Sequence, residues 1–236
     1  MKRLITAAAI LCMMEAYAMA DKASFVNDTV GATPKGWTAT MTGPGQSKWT
    51  VEEDSTAPSK SKVVKQSGRA AYPLLLKNGT SVTDGFVEVQ FKAVSGTEDR
   101  AAGVVWRAKD ANNYYVVRAN ALEDNVVLYK TVDGRRSSLD IVGRSGGYGA
   151  KVPVPADRWH TLRVEFAGSR FKVIFNAQAV FEVEDRTFSE AGQVGLWTKA
   201  DSVTVFDSVS YGAERKRPKR SQMSAFGGNA DIANRG

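Results

Sequence analysis

Two arginines inside apolar segments are the residues of this sequence with the clearest chemical potential. Arg107 lies in the run Gly103–Ala108, and Arg118 lies in the run Tyr114–Ala119. A guanidinium group within an apolar strand needs an acidic partner, water or a ligand, because an unpaired buried charge is costly. The segment 109–113 between the runs contains Asp and Asn, which tolerate turn conformations. The spacing therefore predicts a β-hairpin that carries one arginine on each arm.

The acidic residues and the single histidine give little support for catalysis. Hydrolysis of glycosides needs two carboxyl groups separated by about 5–5.5 Å or about 6.5–9.5 Å. Glu182 and Glu184 share one face of a predicted strand, but two neighbouring exposed acids are typical of a solvated face. His160 is the only histidine and Cys12 the only cysteine, so a nucleophilic triad or a zinc site has few candidate residues.

The elements that position these residues are predicted to be strands. Phe86–Lys92 alternates apolar and polar residues, with Val87, Val89 and Phe91 on one face. Trp159–Phe166 alternates in the same way, and no long segment has the period of about 3.6 residues that marks an amphipathic helix. Short strand candidates recur at intervals of roughly 8–12 residues. Gly43–Gly45 predicts a turn between two of them. This pattern predicts an antiparallel sandwich or barrel.

The two ends of the chain differ from this central body, predicted to span residues 21–212. Lys2 and Arg3, the apolar run Leu4–Met14 and the small residues Ala18 and Ala20 at the cleavage-site positions predict a helical signal peptide over residues 1–20, hence export. The apolar run is too short for a transmembrane span, which takes about 20 residues. Residues 213–236 carry a cluster of basic residues and predict a disordered tail, solvated or attached to an anionic surface.

The net charge of +7 resides largely in that tail. Six basic residues and two acids follow Gly212, and the body is left nearly neutral. We therefore expect no specific nucleic-acid partner for the body.

An ordered set of strand motifs resembles the concanavalin A-like lectin/glucanase superfamily. The resemblance is strongest to its laminin-G-like bacterial domains and to the neighbouring 3-keto-disaccharide hydrolases, and it covers about residues 25–211. It implies an all-β, antiparallel two-sheet β-sandwich of the jelly-roll type, a scaffold that hosts binding, catalytic and structural modules alike. The motifs are Gly36-Trp37, Lys48–Val51, Gly103–Arg107 with Asn112–Tyr115, Arg158–Val164, Gly192–Trp197 and Phe206–Val209.

The resemblance implies a ligand on the exposed face of a concave sheet. Aromatic faces and paired Arg, Glu and Gln groups in such a groove suit a sugar. The alternatives are that both arginines pair with Glu88 or Glu165 across a sheet, and that the tryptophans belong to the core. The groove candidates are Arg107, Arg118, Tyr114 (with Val116, or the opposite set of that strand), Glu88, Gln90, Lys130 and Trp197.

The resemblance also implies a structural calcium ion, although no cofactor is required. Asn27, Asp28 and Asp207 lie near the two ends of the body and offer the oxygen ligands that calcium prefers. Three functions follow from the sequence: an exported, non-catalytic carbohydrate-binding domain, a glycoside-cleaving enzyme of the 3-keto-disaccharide hydrolase type that uses Glu88, or a structural envelope or surface protein.

Overall fold

The computed structural model describes residues 20–213, which form β-strands and loops without a helix. The predicted signal helix and most of the predicted tail lie outside the described residues. No described helix has the length and apolar character to cross a membrane. The strands are β1 (Asp21–Ala23), β2 (Trp37–Gln46), β3 (Trp49–Glu53), β4 (Lys62–Gln66), β5 (Arg69–Lys77), β6 (Gly85–Ser95), β7 (Ala101–Asp110), β8 (Asn113–Asn120), β9 (Asn125–Val132), β10 (Arg135–Ser138), β11 (Ala150–Lys151), β12 (Trp159–Ala167), β13 (Arg170–Phe175), β14 (Gln178–Glu184), β15 (Gln193–Trp197) and β16 (Val203–Ala213).

The strands form two antiparallel sheets packed face to face. Sheet A has the order β14-β13-β12-β6-β16-β4-β3, with β1 added against β16. Sheet B has the order β10-β9-β8-β7-β15-β5-β2, with β11 added against β9. The predicted all-β sandwich is confirmed, as is the hairpin of the two arginine-bearing strands, which are β7 and β8.

The core lies between the sheets and follows the alternation in the sequence. Val87, Val89 and Phe91 of β6 are fully buried there, as predicted. In sheet B, Trp106 stacks on Tyr115 with ring centroids 5.4 Å apart, and both rings contact Phe171 from sheet A. The opposite face of sheet B carries a second buried apolar cluster, so both faces of this sheet are covered by side chains.

A β-bulge in β7 breaks the alternation at Arg107. Two residues of β7, Trp106 and Arg107, lie opposite the single residue Val194 of β15. Arg107 has a φ of 47°, which lies in the left-handed region. The chain just before β15 approaches so closely that a Cβ on Gly192 would lie 2.5 Å from the Arg107 carbonyl carbon. The bulge therefore turns Arg107 away from the face that simple alternation assigns to it.

The predicted turn at Gly43–Gly45 is wrong. These residues lie inside β2, where the pairing with β5 shifts register between Thr42 and Gly45. β2 is an edge strand of sheet B, and Pro44 is tolerated there because an edge bulge does not require its missing N–H.

Candidate functional site

The outer face of sheet B carries a row of residues in register across five strands. Trp197 lies opposite Leu74 on one side and Gly103 on the other. Gly103 in turn lies opposite Arg118, which lies opposite Val127. A Cβ on Gly103 would come within 3.2 Å of the Trp197 ring. The missing side chain therefore leaves a low point between the indole of Trp197 and the guanidinium of Arg118.

Arg118 is fully buried on this face, and all three of its guanidinium nitrogens donate hydrogen bonds. Its Nε donates to the Tyr129 hydroxyl at 3.1 Å, and its Nη1 donates to Asn125 Oδ1 at 3.3 Å. Its Nη2 donates to Glu123 Oε2 and to the Tyr148 hydroxyl, both at 2.9 Å. Burial alone would lower the pKa of Arg118, but the neighbouring phenols and Glu123 raise it above its ordinary value. Arg118 is therefore a fixed cation that orients the groups around it.

A polar network extends from Arg118 along the rim of the face. Partial burial would raise the pKa of Glu123, but donated hydrogen bonds, first from Arg118, hold it below its ordinary value. Asn120 Nδ2 donates to Glu123 Oε1 at 3.1 Å and to Asp99 Oδ1 at 2.6 Å. Asp99 forms an ion pair with Lys199. Glu123 is thus an ionised hydrogen-bond acceptor at neutral pH, with a side chain that is 37% exposed.

Arg136 lies over the middle of the face among aromatic rings. Its Cζ is 4.2 Å from the ring centroid of Tyr129, 4.7 Å from that of Tyr72 and 5.5 Å from that of Trp197. Tyr72 belongs to β5 and Tyr129 to β9, four strand spacings of about 4.8 Å apart in sheet B. Their rings nevertheless meet at one guanidinium group, so side chains from both flanks lean in and give the face a concave surface.

The loop before β11 supplies the exposed part of this surface. Tyr148 is 47% exposed, and its hydroxyl is hydrogen-bonded to that of Tyr129. On the other flank, an open cleft of about 470 Å³ is lined by residues that include Arg69, Tyr72 and Lys199. We name the surface formed by Tyr72, Arg118, Glu123, Tyr129, Arg136, Tyr148, Trp197 and Lys199 the concave platform.

Three of the predicted groove residues lie on the outer face of sheet B. Arg118 belongs to the concave platform. On β8 it lies on the same face as Tyr114 and Val116. Tyr114 and Trp197 are fully buried and form the floor. The Tyr114 hydroxyl is within hydrogen-bond distance of Thr42 Oγ1, at 2.8 Å, and burial raises the pKa of this phenol. The expected exposure of these side chains is therefore wrong, and they support other groups from below.

The expectation that Arg107 shares a groove with Arg118 is wrong. Arg107 is 1% exposed and packs between Phe166 and Phe171, with Cζ 5.7 Å and 5.6 Å from their ring centroids. Its Nε and Nη1 donate to the carbonyl oxygens of Thr83 and Phe188, each at 2.8 Å. The bulge in β7 places it on the inner side of sheet B, where it ties two loops to the core.

Lys130 also lies away from the concave platform. Lys130 lies two residues after Leu128 on β9, so it is on the same, inward-facing side of the strand. Its Nζ forms a 2.8 Å ion pair with Asp185. The other oxygen of that carboxylate accepts a 2.6 Å hydrogen bond from the Tyr115 hydroxyl. Burial, reinforced by Asp185, raises the pKa of Tyr115. Lys130 therefore belongs to a structural cluster at the end of the sandwich.

Glu88 and Gln90 lie on β6 in sheet A, on the far side of the sandwich from the concave platform. Glu88 is 3.6 Å from Arg163, which also bonds Glu165 at 3.0 Å. The alternative pairing of the predicted arginines with Glu88 or Glu165 is therefore also wrong, since Arg163 takes both acids. Glu88 cannot act with Arg107 and Arg118 in one site.

Neither the histidine nor the predicted acid pair faces the concave platform. His160 is inside the sandwich between Phe91 and Phe175, with Nε2 2.9 Å from the Pro155 carbonyl oxygen. Glu182 and Glu184 are exposed on the edge strand β14, as expected for a solvated face.

The residues proposed for calcium already make local hydrogen bonds. Asp28 Oδ1 accepts the Lys35 N–H at 2.9 Å, and Asp207 Oδ2 accepts the Ser59 N–H at 2.8 Å. Asn27 is exposed beside Asp28. Residues 20–213 contain no group of three or more His, Cys, Asp or Glu that could hold a metal ion. The calcium ion stays a prediction that the resemblance implies.

Sequence reasoning missed most of the concave platform: Tyr72, Glu123, Tyr129, Arg136, Tyr148 and Lys199. Two local signals were present. Arg136 follows the Asp133-Gly134 turn on a short strand, and Tyr148 stands in a glycine-rich loop, where exposed aromatic residues favour a binding role. Only the pairing of distant strands brings these residues together.

Comparison with known proteins agrees with this architecture. The chain is 26% identical over 200 residues to levanase of Bacillus subtilis, a match that covers 84% of this chain and 27% of the levanase. The solved structure of carbohydrate binding module CBM66 from Bacillus subtilis superposes with a TM-score of 0.60 at 25% identity, covering 75% of this chain and 95% of that module. The β-glucanase of Bacillus licheniformis shares the fold, with a TM-score of 0.52 at 11% identity over 85% of this chain and all of that one. The family described as the 3-keto-alpha-glucoside-1,2-lyase-like domain matches residues 22–210, and the chain therefore belongs to that family.

Proposed function

We propose that the chain is an exported carbohydrate-binding domain that holds a glycan on the concave platform. The observation that carries the proposal is the convergence of aromatic rings and fixed charged groups on one concave surface. Tyr72 and Tyr148 offer partly exposed rings for the C–H faces of a sugar. Glu123 and Lys199 offer an acceptor and a donor for hydroxyl groups within the same surface.

The similarity to a carbohydrate binding module supports this proposal. The chain spans about a quarter of the length of the levanase that it matches, and CBM66 is matched over nearly its whole length. A match to a module-sized piece favours binding over the activity of the whole levanase.

The protonation states of the concave platform also favour binding. General acid–base catalysis needs a group whose pKa lies near the working pH. Hydrogen bonds hold the pKa of Glu123 below its ordinary value, and burial raises that of Tyr129. Asp99 is linked to Glu123 through Asn120, but it is 1% exposed and paired with Lys199, so a substrate does not reach it.

A calorimetric titration with a panel of oligosaccharides tests the binding proposal. We expect Tyr72→Ala to weaken binding about fivefold, since one aromatic–sugar contact contributes about 1 kcal/mol. Trp159→Ala is the matched control, because this partly exposed ring lies in sheet A. Equal effects of the two substitutions, or no binding to any glycan by the wild type, would refute the proposal.

Membership of the family favours a second candidate, elimination on a 3-keto-glycoside. A base removes the C2 proton next to the carbonyl group, the electron pair forms the C1–C2 double bond, and the C1 oxygen leaves with a proton. Glu123 is the ionised, partly exposed carboxylate of the concave platform and replaces Glu88 as the candidate base, with Tyr148 as the proton donor. Turnover of 3-keto-disaccharides that Glu123→Gln abolishes and Glu88→Gln preserves would establish this reaction, and absence of turnover would exclude it.

Export is part of the proposal and rests on the leader sequence. Sequencing of the protein from the culture fluid or periplasm is expected to give Asp21 as the first residue. Recovery of the full chain from the cytoplasm would contradict export. Deletion of residues 213–236 tests whether the basic tail attaches the domain to an anionic surface, since unchanged retention would exclude that role.

A further inference from the structure

Arg136 differs from the other cations of the concave platform in having no counter-ion within the described part of the chain. Arg118 and Lys199 each form an ion pair with a carboxylate, Glu123 and Asp99 respectively. Among residues 20–213, no acid lies within 4 Å of the Arg136 nitrogens, and its guanidinium makes no hydrogen bond. One cation of this surface is therefore uncompensated by its described neighbours.

The surroundings of Arg136 explain how the cation is held without an acid. The rings of Tyr72, Tyr129 and Trp197 lie within 6 Å of its Cζ, where their electron-rich faces attract a cation. Nη1 is enclosed and has no acceptor among the residues that the structure describes. The side chain as a whole is only partly buried, so part of it remains accessible to a ligand.

We propose that Arg136 binds the carboxylate of an acidic sugar, so that the glycan recognised by the concave platform contains a uronic acid. This inference rests on the proposed binding function. A guanidinium group presents a planar fork that matches a carboxylate with two parallel hydrogen bonds. The flanking rings exclude water, which strengthens the charge attraction, and they offer apolar faces to the pyranose ring that carries the carboxylate.

The preference for a carboxylate follows from charge and geometry together. A neutral sugar would satisfy the donors of Arg136 but would leave its charge uncompensated. A sulfate ester would supply charge, but its tetrahedral oxygens match the planar fork less well than a carboxylate does. The two anions are therefore distinguished by the experiment.

The test uses paired oligosaccharides that differ only at C6, as a hydroxymethyl group, a carboxylate or a 6-sulfate. Calorimetry with the full mature chain is expected to show a uronate bound about tenfold more tightly than its hexose partner, a preference that shrinks as salt rises. Equal or tighter binding of hexoses, or a stronger preference for the sulfates, overturns the inference and leaves the binding function standing. Binding of no member overturns both.

Two substitutions on β10 locate the effect. Arg136→Gln is expected to weaken binding of the uronate about tenfold more than binding of the hexose, so that the preference for the uronate disappears. Arg135→Gln removes the same charge from the neighbouring position, whose side chain points to the opposite side of the strand, and is expected to change neither affinity. Equal loss of both ligands in Arg136→Gln would make Arg136 a support for the rings and would overturn the inference.

Arg136→Lys keeps the test valid if the Gln variant does not fold. The ammonium group keeps the charge and loses the fork, so we expect a reduced but measurable preference for the uronate. A preference as large as that of the wild type would show that the fork is not used.

Discussion

Arg118 and Arg136 lie on the same face of sheet B, yet their replacement by Met is expected to have very different effects on stability. Arg118 donates hydrogen bonds to four side chains and is fully buried. Arg136 makes no hydrogen bond to a described residue and is held by aromatic rings. Met has a similar length and keeps the apolar contacts of both positions.

The expected loss in the free energy of unfolding depends on how many buried hydrogen-bond acceptors lose their donor in each variant. After Arg118→Met, Glu123 and Tyr148 can turn to water because both are partly exposed. Asn125 and Tyr129 are 3% and 2% exposed and lose a donor without access to water, and only the Tyr129 hydroxyl keeps another partner, the Tyr148 hydroxyl. At about 1–2 kcal/mol for the Asn125 oxygen, and less for the Tyr129 hydroxyl, the free energy of unfolding falls by about 2–3 kcal/mol. Arg136→Met removes only cation–π contacts and is expected to reduce it by about 1 kcal/mol or less.

Urea unfolding followed by far-UV circular dichroism measures both values. At a slope of about 2–3 kcal/mol/M, Arg118→Met moves the midpoint down by about 1 M, and Arg136→Met moves it by less than about 0.5 M. An unchanged slope is the control that the unfolding transition itself is the same. Equal shifts, or a loss below about 1 kcal/mol for Arg118→Met, would refute the conclusion that Arg118 stabilises the fold through buried hydrogen bonds and that Arg136 is held only by aromatic rings.

Three further predictions test other parts of the structure. Arg107→Met is expected to lower the free energy of unfolding by about 2–3 kcal/mol, since the buried Phe188 carbonyl, the partly buried Thr83 carbonyl and Asp84 all lose a donor. Calorimetry should find its glycan affinity unchanged, and weaker binding in a stably folded variant would contradict the inward placement. Gly192→Ala is expected to lower the melting temperature by several degrees, because the Cβ would lie 2.5 Å from the Arg107 backbone, and an unchanged temperature would contradict the bulge. Burial would raise the pKa of Asp201, but hydrogen bonds from the backbone N–H groups of residues 97–99 lower it, so its contribution to stability is present above its ordinary pKa of about 3.9 and is lost as pH falls through the lower folded value. Asp201→Asn should therefore flatten the decline of stability between about pH 4 and pH 2, and a decline as steep as that of the wild type would refute this role.

The fold could be predicted because its signals are local. Alternation over Phe86–Lys92 and Trp159–Phe166 identifies strands with one buried face, and many short strands without a helix period indicate a sandwich. The polar segment 109–113, which contains Asp and Asn, is also a local signal, and it predicts the hairpin of β7 and β8. These patterns do not depend on which strand pairs with which.

The candidate site could be predicted only in part, because it depends on long-range pairing. The sequence does not show that β6, with Glu88 and Gln90, joins sheet A while the hairpin joins sheet B. Tyr72 and Arg136 meet only because the sheet order places β5 and β10 on opposite flanks of one concave face. A prediction centred on one hairpin therefore finds Arg118 and misses the residues that surround it.

The inverted position of Arg107 has a different cause. Alternation places it on the face opposite Trp106, and no glycine or proline marks a bulge at that position. The extra residue becomes apparent only from the pairing of β7 with β15, where two residues lie opposite one. An unmarked bulge reverses the face of a side chain without leaving a local signal.

Mapping of a bound glycan by amide chemical-shift changes tests the central claim most directly. We predict that titration with the oligosaccharide bound most tightly in calorimetry perturbs the amides of Tyr72, Arg136 and Tyr148 on sheet B and its loop. The amides of Glu88 and Arg163 on sheet A should remain unchanged. Perturbations centred on the outer face of sheet A, with the concave platform unaffected, would contradict the claim.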